Sequence, residues 1–289
     1  MECNLCNGNS FETFLQTSGN EKGIAFFPSS DIIGNNNLVK CNDCGLVFVN
    51  PLPDEKEVLE EYTNFKDERF ASQAEGREIT FEKNLKDIEK YKKNGKLLDI
   101  GTASGSFIYM AKKRGWDVEG IELNKYLIKW AKENYKLDIK QGTLFQNKFS
   151  NKFDVITLWD VLEHVTNPTK TLERCNELLK DDGIFVVNYP DYKSWIAFLL
   201  GEKWAFYLSV HLYYFDKETI EKILNKCGFE VLKIKPHIQY LELGYIFLRA
   251  KRYMPFLSSI LLVTTRFLNL QNKKFPYWLG QTLVVCKKL

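Results

Sequence analysis

Short apolar runs alternate with amphipathic stretches through the middle of the chain. Leu97 to Ile100, Val118 to Ile121 and Phe153 to Leu158 are too compact for helices and are bounded by glycine or charged residues, as buried strands are. The pattern predicts strands near 96–101, 117–121, 138–140, 153–158 and 183–188, with helical periodicity between them. One helix runs from Gly105 to Arg114. Another is capped by Asn167-Pro168 and continues through Leu179, and Asp182-Gly183 then turns the chain into the fifth strand. Lys217 to Cys227 forms an amphipathic helix closed by Gly228. Phe229 to Ile234 and, near the end, Leu283 to Lys287 complete the set of strands. Strand and helix in alternation specify an α/β fold, with a mainly parallel sheet, helices on both faces and ligands at the carboxyl ends of the strands.

The patterning changes upstream of this core. Leu46 to Val49 reads as a short strand ended by Asn50-Pro51-Leu52-Pro53. From Asp54 to Tyr91 the chain is charged and helical, with Val58, Leu59 and Tyr62 on one stripe and Ile79, Leu85 and Ile88 on a second. The expected division is a module over 1–50, a helical lead-in over 51–95 and a main domain over 96–289 with inserts at 189–214 and 237–281. With 289 residues, 45% of them hydrophobic, the chain can build one large core and an appendage. A net charge of +3 is too small to argue for nucleic acid. The polar start Met1-Glu2-Cys3-Asn4, with no apolar segment after it, gives the expectation of a cytoplasmic protein.

Seven cysteines do not suit a secreted disulfide framework, and four of them fall into pairs of equal spacing, Cys3-x-x-Cys6 and Cys41-x-x-Cys44. Each knuckle aims two thiolates at one point, and together they supply the tetrahedral sulfur shell that zinc prefers. Four thiolates leave no open position for substrate, so this zinc is structural and holds an N-terminal ribbon too small to build a core alone. Cys175, Cys227 and Cys286 lie in apolar settings and read as core residues.

The first strand carries Asp99 and runs into Gly101-Thr102-Ala103-Ser104-Gly105, a small-residue turn that opens a helix. The second strand ends in Glu122, about 20 residues beyond the turn, where a doubly wound sheet presents an acid to a ribose diol. A nucleoside is therefore expected here. A dinucleotide site would have glycines where this chain has Ala103 and Ser106. The strand Asp, the G-x-x-x-G turn and the downstream Glu resemble the S-adenosylmethionine site of class I methyltransferases. Asp160-Val161-Leu162-Glu163-His164 after the fourth strand resembles the ubiquinone-biosynthesis type of O-methyltransferase, as do His211-Leu212-Tyr213-Tyr214-Phe215 and Cys227-Gly228-Phe229. This resemblance covers residues 96–235.

The resemblance implies a Rossmann-like seven-stranded, mostly parallel sheet whose last strand is antiparallel. It implies cofactor contacts from Asp99, Gly101, Thr102 and Gly105 at the turn and from Glu122 and Leu123 after the second strand. Gly142 and Thr143 after the third strand, and Trp159 and Asp160 after the fourth, complete the set. Where many relatives offer an acid to the adenine amino group, this chain has Gly142-Thr143-Leu144. The zinc module followed by this core looks like methyltransferases of sugar and polysaccharide gene clusters, which implies a sugar or lipid-linked small-molecule acceptor. An RNA methyltransferase is disfavoured by the near-neutral residues 1–95. A zinc protein that binds the cofactor without catalysis stands as the other alternative.

A hydroxyl acceptor must lose its proton as the oxygen attacks, and a base titrating near neutrality is suited to take it. His164 and His211 are the candidates. Positions 160, 163 and 164 would share a face on a helical turn, and Glu163 with His164 could instead ligate a divalent ion. The insert from Tyr240 to Lys274 has six Lys or Arg, at 249, 251, 252, 266, 273 and 274, against the single acid Glu242. Thirteen uncharged residues, 253–265, are too few to span a bilayer. The segment either lies on an anionic membrane or forms a helical hairpin that caps the pocket or meets a second copy.

Overall fold

The computed structural model describes residues 2–16, 37–64, 74–251 and 253–289. The N-terminal strands are β1 (Phe11–Leu15), β2 (Asn37–Cys41) and β3 (Val47–Asn50), followed by helices α1 (Glu55–Asn64) and α2 (Ala74–Ile88). The core then alternates β4 (Lys96–Ile100), α3 (Ser106–Lys113), β5 (Asp117–Glu122), α4 (Lys125–Tyr135), β6 (Lys140–Gln141), β7 (Phe153–Leu158), α5 (Pro168–Leu178) and β8 (Leu179–Pro190). Beyond it lie α6 (Trp195–Leu200), β9 (Tyr213–Tyr214), α7 (Lys217–Lys226), β10 (Phe229–Pro236) and β11 (Gln239–Glu242). Helices α8 (Leu243–Ala250) and α9 (Pro255–Phe267) and strands β12 (Lys274–Tyr277) and β13 (Gln281–Lys288) close the chain.

Seven strands form one sheet in the order β10-β13-β8-β7-β4-β5-β6. β13 runs antiparallel to both neighbours, and the pairings among β8, β7, β4, β5 and β6 are parallel. β7 is buried at every position, which is why it reads as a continuous apolar run. Successive residues still face opposite sides. Leu98, Ile156, Phe185 and Val284 pack with Leu172 of α5 and Ile220 and Ile223 of α7. Leu97, Val155, Val186 and Val285 pack with Leu85 and Ile88 of α2 and Phe107 and Ala111 of α3. The core is thus two layers of side chains on a shared sheet.

The Asn167 cap matches its sequence signal, and the structure adds a cap at Asp216. Asn167 accepts from the Lys170 N–H at 2.9 Å with Pro168 in the first turn of α5. Asp216 and Thr219 form a reciprocal capping box on α7. The expected turn at Asp182-Gly183 is a correction, because the strand already begins at Leu179, paired with Phe153. The next partners are Val155 and Ile184, so the extra residues bulge within β8. A Cβ at Gly183 would meet the Lys180 carbonyl at 2.8 Å, which explains the glycine without a chain reversal.

The N-terminal strands make a separate sheet, β1-β2-β3-β9, whose fourth strand comes from Tyr213–Tyr214. Phe48 of β3 stacks on Tyr213 with centroids 6.1 Å apart, and Leu46 and Phe48 share the core of α5 and α7. The insert after β10 is a helical hairpin, α8 and α9, rooted on the two-stranded ribbon of β11 and β12. Arg252, counted among its cations, lies outside the described residues. Among the described residues no helix is long and apolar enough to cross a membrane.

Candidate functional site

Gly101 and Gly105 bracket the turn after β4 with φ of 68° and 77°, a region that favours glycine. Both glycines also pack closely against the protein's own side chains. A Cβ at Gly101 would come within 2.6 Å of Val161 Cγ2, and one at Gly105 within 2.7 Å of Leu137 Cδ1. Between them Ala103 is held at φ 50°, and its N–H donates to Glu122 Oε2 at 2.7 Å. Glu122 Oε1 accepts from the N–H groups of Leu123 and Asn124, both at 2.8 Å. One carboxylate therefore joins the turn after β4 to the loop after β5. Burial pushes Glu122 above the usual carboxylate range while these N–H donors oppose the shift.

Asp99 is 1% exposed beneath the turn. Its Oδ1 accepts from Thr157 Oγ1 at 2.5 Å; the buried Thr102 hydroxyl is near enough to stabilise the carboxylate, but no well-aligned hydrogen bond reaches Oδ2 among the described residues. Burial raises this carboxyl to about 7. A buried acidic oxygen with spare acceptor capacity is what an incoming ammonium group would satisfy. The loop after β6 closes on itself: the Thr143 N–H donates to Gln146 Oε1 at 2.9 Å, and Gly142, at φ 122°, donates to the Glu122 carbonyl.

The segment after β7 is a correction to the expected helical turn. Asp160 takes φ 53°, and the His164 N–H donates to the Val161 carbonyl, so the chain makes a tight turn. Asp160 Oδ1 accepts from Asn188 Nδ2 at 2.5 Å and Gln281 Nε2 at 3.0 Å, and the Asp160 N–H donates to Asn188 Oδ1 at 2.8 Å. The turn is thereby bolted to β8 and β13. Trp159 packs at 4.9 Å from Phe107 and 5.6 Å from His237, and its buried Nε1 makes no hydrogen bond among the described residues.

The turn delivers Glu163 and His164 beside His211, with the two imidazoles 4.6 Å apart. One ligand atom from each of the three lies within 4.8 Å of the others, so the trio could share a proton or hold a divalent cation. Both Glu163 oxygens and His211 Nδ1 are buried without a hydrogen bond among the described residues. Burial pushes Glu163 well up, His211 well down and His164 down to about 4. At neutral pH both rings are uncharged. His164 Nδ1 lies 3.0 Å from the Val210 carbonyl, which can only accept, so Nδ1 carries the proton and Nε2 the lone pair. The Tyr62 hydroxyl reaches the same Nδ1 at 2.5 Å.

Sequence reasoning missed Tyr62, Asn188 and Gln281. Tyr62 sits on the lead-in helix α1, 102 residues before His164, and reads there as an ordinary apolar-stripe residue. An open recess lined by Lys96, Asp117, Asp154 and Lys180 lies at the amino end of the sheet, away from these groups.

The N-terminal knuckles converge. Cys3 Sγ is 3.5 Å from Cys44 Sγ, Cys6 Sγ is 3.5 Å from Cys41 Sγ, and all four thiols are free. Sulfurs bound tetrahedrally to zinc at about 2.3 Å would lie about 3.8 Å apart, so the cluster fits the ion. Asn7 and Gly45, at φ 62° and 85°, make the knuckle turns. Burial drives Cys3 up to about 11, a cost that a bound dication would reverse. Cys175, Cys227 and Cys286 are buried, as expected.

A protein-family model described as "Methyltransferase domain" matches residues 72–234. The chain is 31% identical over 122 residues to a ubiquinone biosynthesis O-methyltransferase of Histophilus somni, covering 38% of this chain and 51% of that protein. The corresponding enzyme of Actinobacillus pleuropneumoniae is 30% identical over 136 residues, 41% of this chain and 58% of that one. The chain thus spans about half the length of the curated relatives it matches. The crystal structure of a SAM dependent methyltransferase from Archaeoglobus fulgidus superposes with a TM-score of 0.53 at 18% identity, covering 77% of this chain and all of that one. That likeness is one of fold.

Glu122→Ala removes the acceptor for the N–H groups of Ala103, Leu123 and Asn124. It is expected to weaken S-adenosylmethionine binding by about 1 to 3 kcal/mol while the protein stays folded. Titration calorimetry checks this, and unchanged affinity would detach the carboxylate from the ligand site.

Proposed function

The chain belongs to the methyltransferase-domain family, and from that premise we propose that it moves the methyl group of S-adenosylmethionine to a hydroxyl oxygen of a small acceptor. The observation that carries this reading is the pairing of two sites at one end of the sheet. Asp99 near the end of β4 and the Glu122-braced turn that follows it make one, and Glu163 and His164 after β7 with His211 before β9 make the other. The O-methyltransferase names of the relatives support oxygen as the accepting atom. The N-terminal four-cysteine module supports a sugar, polysaccharide-precursor or lipid-linked acceptor.

When bound, S-adenosylmethionine supplies an electrophilic methyl and its own leaving group, so the protein need only align, exclude water and take a proton. Glu122, with one lone pair of Oε2 beyond its bond to Ala103, would accept from ribose hydroxyls. Asp99 Oδ2 would accept from the ammonium of the methionine end, with Gly101, Thr102 and Gly105 shaping the turn around it. Leu123, Gly142, Thr143 and Trp159 would border the nucleoside, with backbone groups of the Gly142 loop in place of an acid at the adenine. Asp160 would keep the post-β7 turn in place. His164 Nε2, neutral at pH 7, would receive the acceptor's proton, and His211 beside it would share the resulting charge with Glu163. Cys3, Cys6, Cys41 and Cys44 would hold one zinc with no open position, fixing the β1-β2-β3-β9 sheet against α5 and α7.

Replacing His164 or His211 by Ala is expected to lower turnover by about 100-fold or more, with S-adenosylmethionine affinity within twofold of wild type. Single-turnover kinetics against a panel of hydroxylated acceptors reads the two separately. Full turnover in both variants would leave proton removal to water or to an acceptor that needs no base. For the metal, elemental analysis should find one zinc per chain, lost in the Cys41→Ser and Cys44→Ser double variant together with a lower melting temperature. A metal-free wild type of normal stability would end the zinc assignment.

A further inference from the structure

Helix α9 is apolar around most of its circumference. Its inward side buries the small hydroxylic Ser258 and Thr265, at 1% and 5% exposure, with Leu261 and Leu262 half-buried beside them. Its outward stripe is Phe256, Ile260, Val263 and Phe267, at 81%, 47%, 67% and 86%. These recur at i, i+4, i+7 and i+11, one continuous line along the helix. Such a contiguous apolar surface marks an interaction site.

The charge around the stripe identifies what covers it. From Leu243 to Lys274 the chain contains no acid, and Lys251, Arg266 and Lys273 are exposed along the hairpin. A second copy docked face to face would set this cation-rich surface against itself. An anionic lipid surface offers both the apolar layer and the opposite charge. At about 1.5 Å per residue, the 13 residues of α9 reach about 20 Å, well short of a bilayer core, so the helix lies in the interface rather than across it.

The location is consistent with that occupant. β13 is antiparallel to both β8 and β10, so β10 ends at the carboxyl end of the sheet, where the candidate site lies. The ribbon that carries the hairpin starts there, beside His237, which packs on Trp159. At the hairpin's root Trp195 of α6 lies 5.8 Å from Trp278, just past β12. Trp195, Phe198 and Leu199 of α6 are 65%, 88% and 70% exposed and form a second apolar outcrop.

We propose that α9 seats the protein on an anionic membrane surface, with Phe256, Ile260, Val263 and Phe267 entering the acyl boundary and Lys251, Arg266 and Lys273 at headgroup level. The docking turns the carboxyl end of the sheet toward the bilayer and does not depend on the chemistry performed there.

Cosedimentation of the full chain with vesicles of phosphatidylglycerol and phosphatidylcholine tests it, against vesicles of phosphatidylcholine alone. Binding is expected on the mixed vesicles at low salt, at least about tenfold weaker on the neutral ones or at high salt. Lys251→Glu, Arg266→Glu and Lys273→Glu together should weaken partition on the order of 100-fold. Phe256→Ser, Val263→Ser and Phe267→Ser together should abolish it; all three side chains are exposed, so circular dichroism should be unchanged. No cosedimentation at low salt, or binding indifferent to both variants, overturns the proposal. So does a concentration-dependent dimer in sedimentation velocity that the serine variant disperses while vesicle binding is absent, which would give the face to a second copy.

Discussion

The buried carboxylate of Glu122 is the constraint from which the ligand end of this fold is organised. An acid is costly to bury, and this one is offset by the N–H groups of Ala103, Leu123 and Asn124. The Ala103 bond is made from a residue at positive φ, in a turn whose Gly101 and Gly105 are also at positive φ. The glycines then admit Val161 from the post-β7 turn and Leu137 from the segment before β6. Three loops are packed together around one anion. Any change that expels the carboxylate loosens all of them.

The second organising element is the turn after β7, and its logic is similar. Asp160 and Asn188 exchange hydrogen bonds, and Gln281 adds a third from β13. This fixes the path of 160–164, so that Glu163 and His164 lie beside His211. The Glu163 carbonyl accepts from the N–H groups of Leu212 and Tyr213, which locks the two segments together through the backbone. Burial keeps both imidazoles neutral. The same burial departs from the expected base titrating near neutrality: it leaves an unprotonated nitrogen at neutral pH but also lowers its basicity, so a proton-accepting role there rests on alignment with the acceptor more than on a matched pKa.

The sheet was legible because both of its faces are buried. Runs such as 153–158 carry their signal in composition alone, and the cap at Asn167 is local chemistry; the equally local capping box at Asp216 went unread. The sequence reading stumbled where one signal serves two geometries. Asp182-Gly183 is a turn pair by local rules, yet pairing of Leu179 with Phe153 turns it into a bulge. The stripe of α9 has the period of a core-facing helix, and only the fold shows that it faces outward. Tyr62, Asn188 and Gln281 reach the site by tertiary packing, and no local pattern in their own segments marks them. The cysteine knuckles were readable from spacing, but not their integration with the core through Tyr213.

The central claim is that the turn at 101–105 and Glu122 form a site for S-adenosylmethionine and not for a dinucleotide. Equilibrium dialysis of the labelled cofactor against the purified chain measures this directly. The account predicts saturation at one molecule per chain, displaced by S-adenosylhomocysteine and untouched by nicotinamide adenine dinucleotide. Absence of saturable binding, or equal displacement by the dinucleotide, would contradict it.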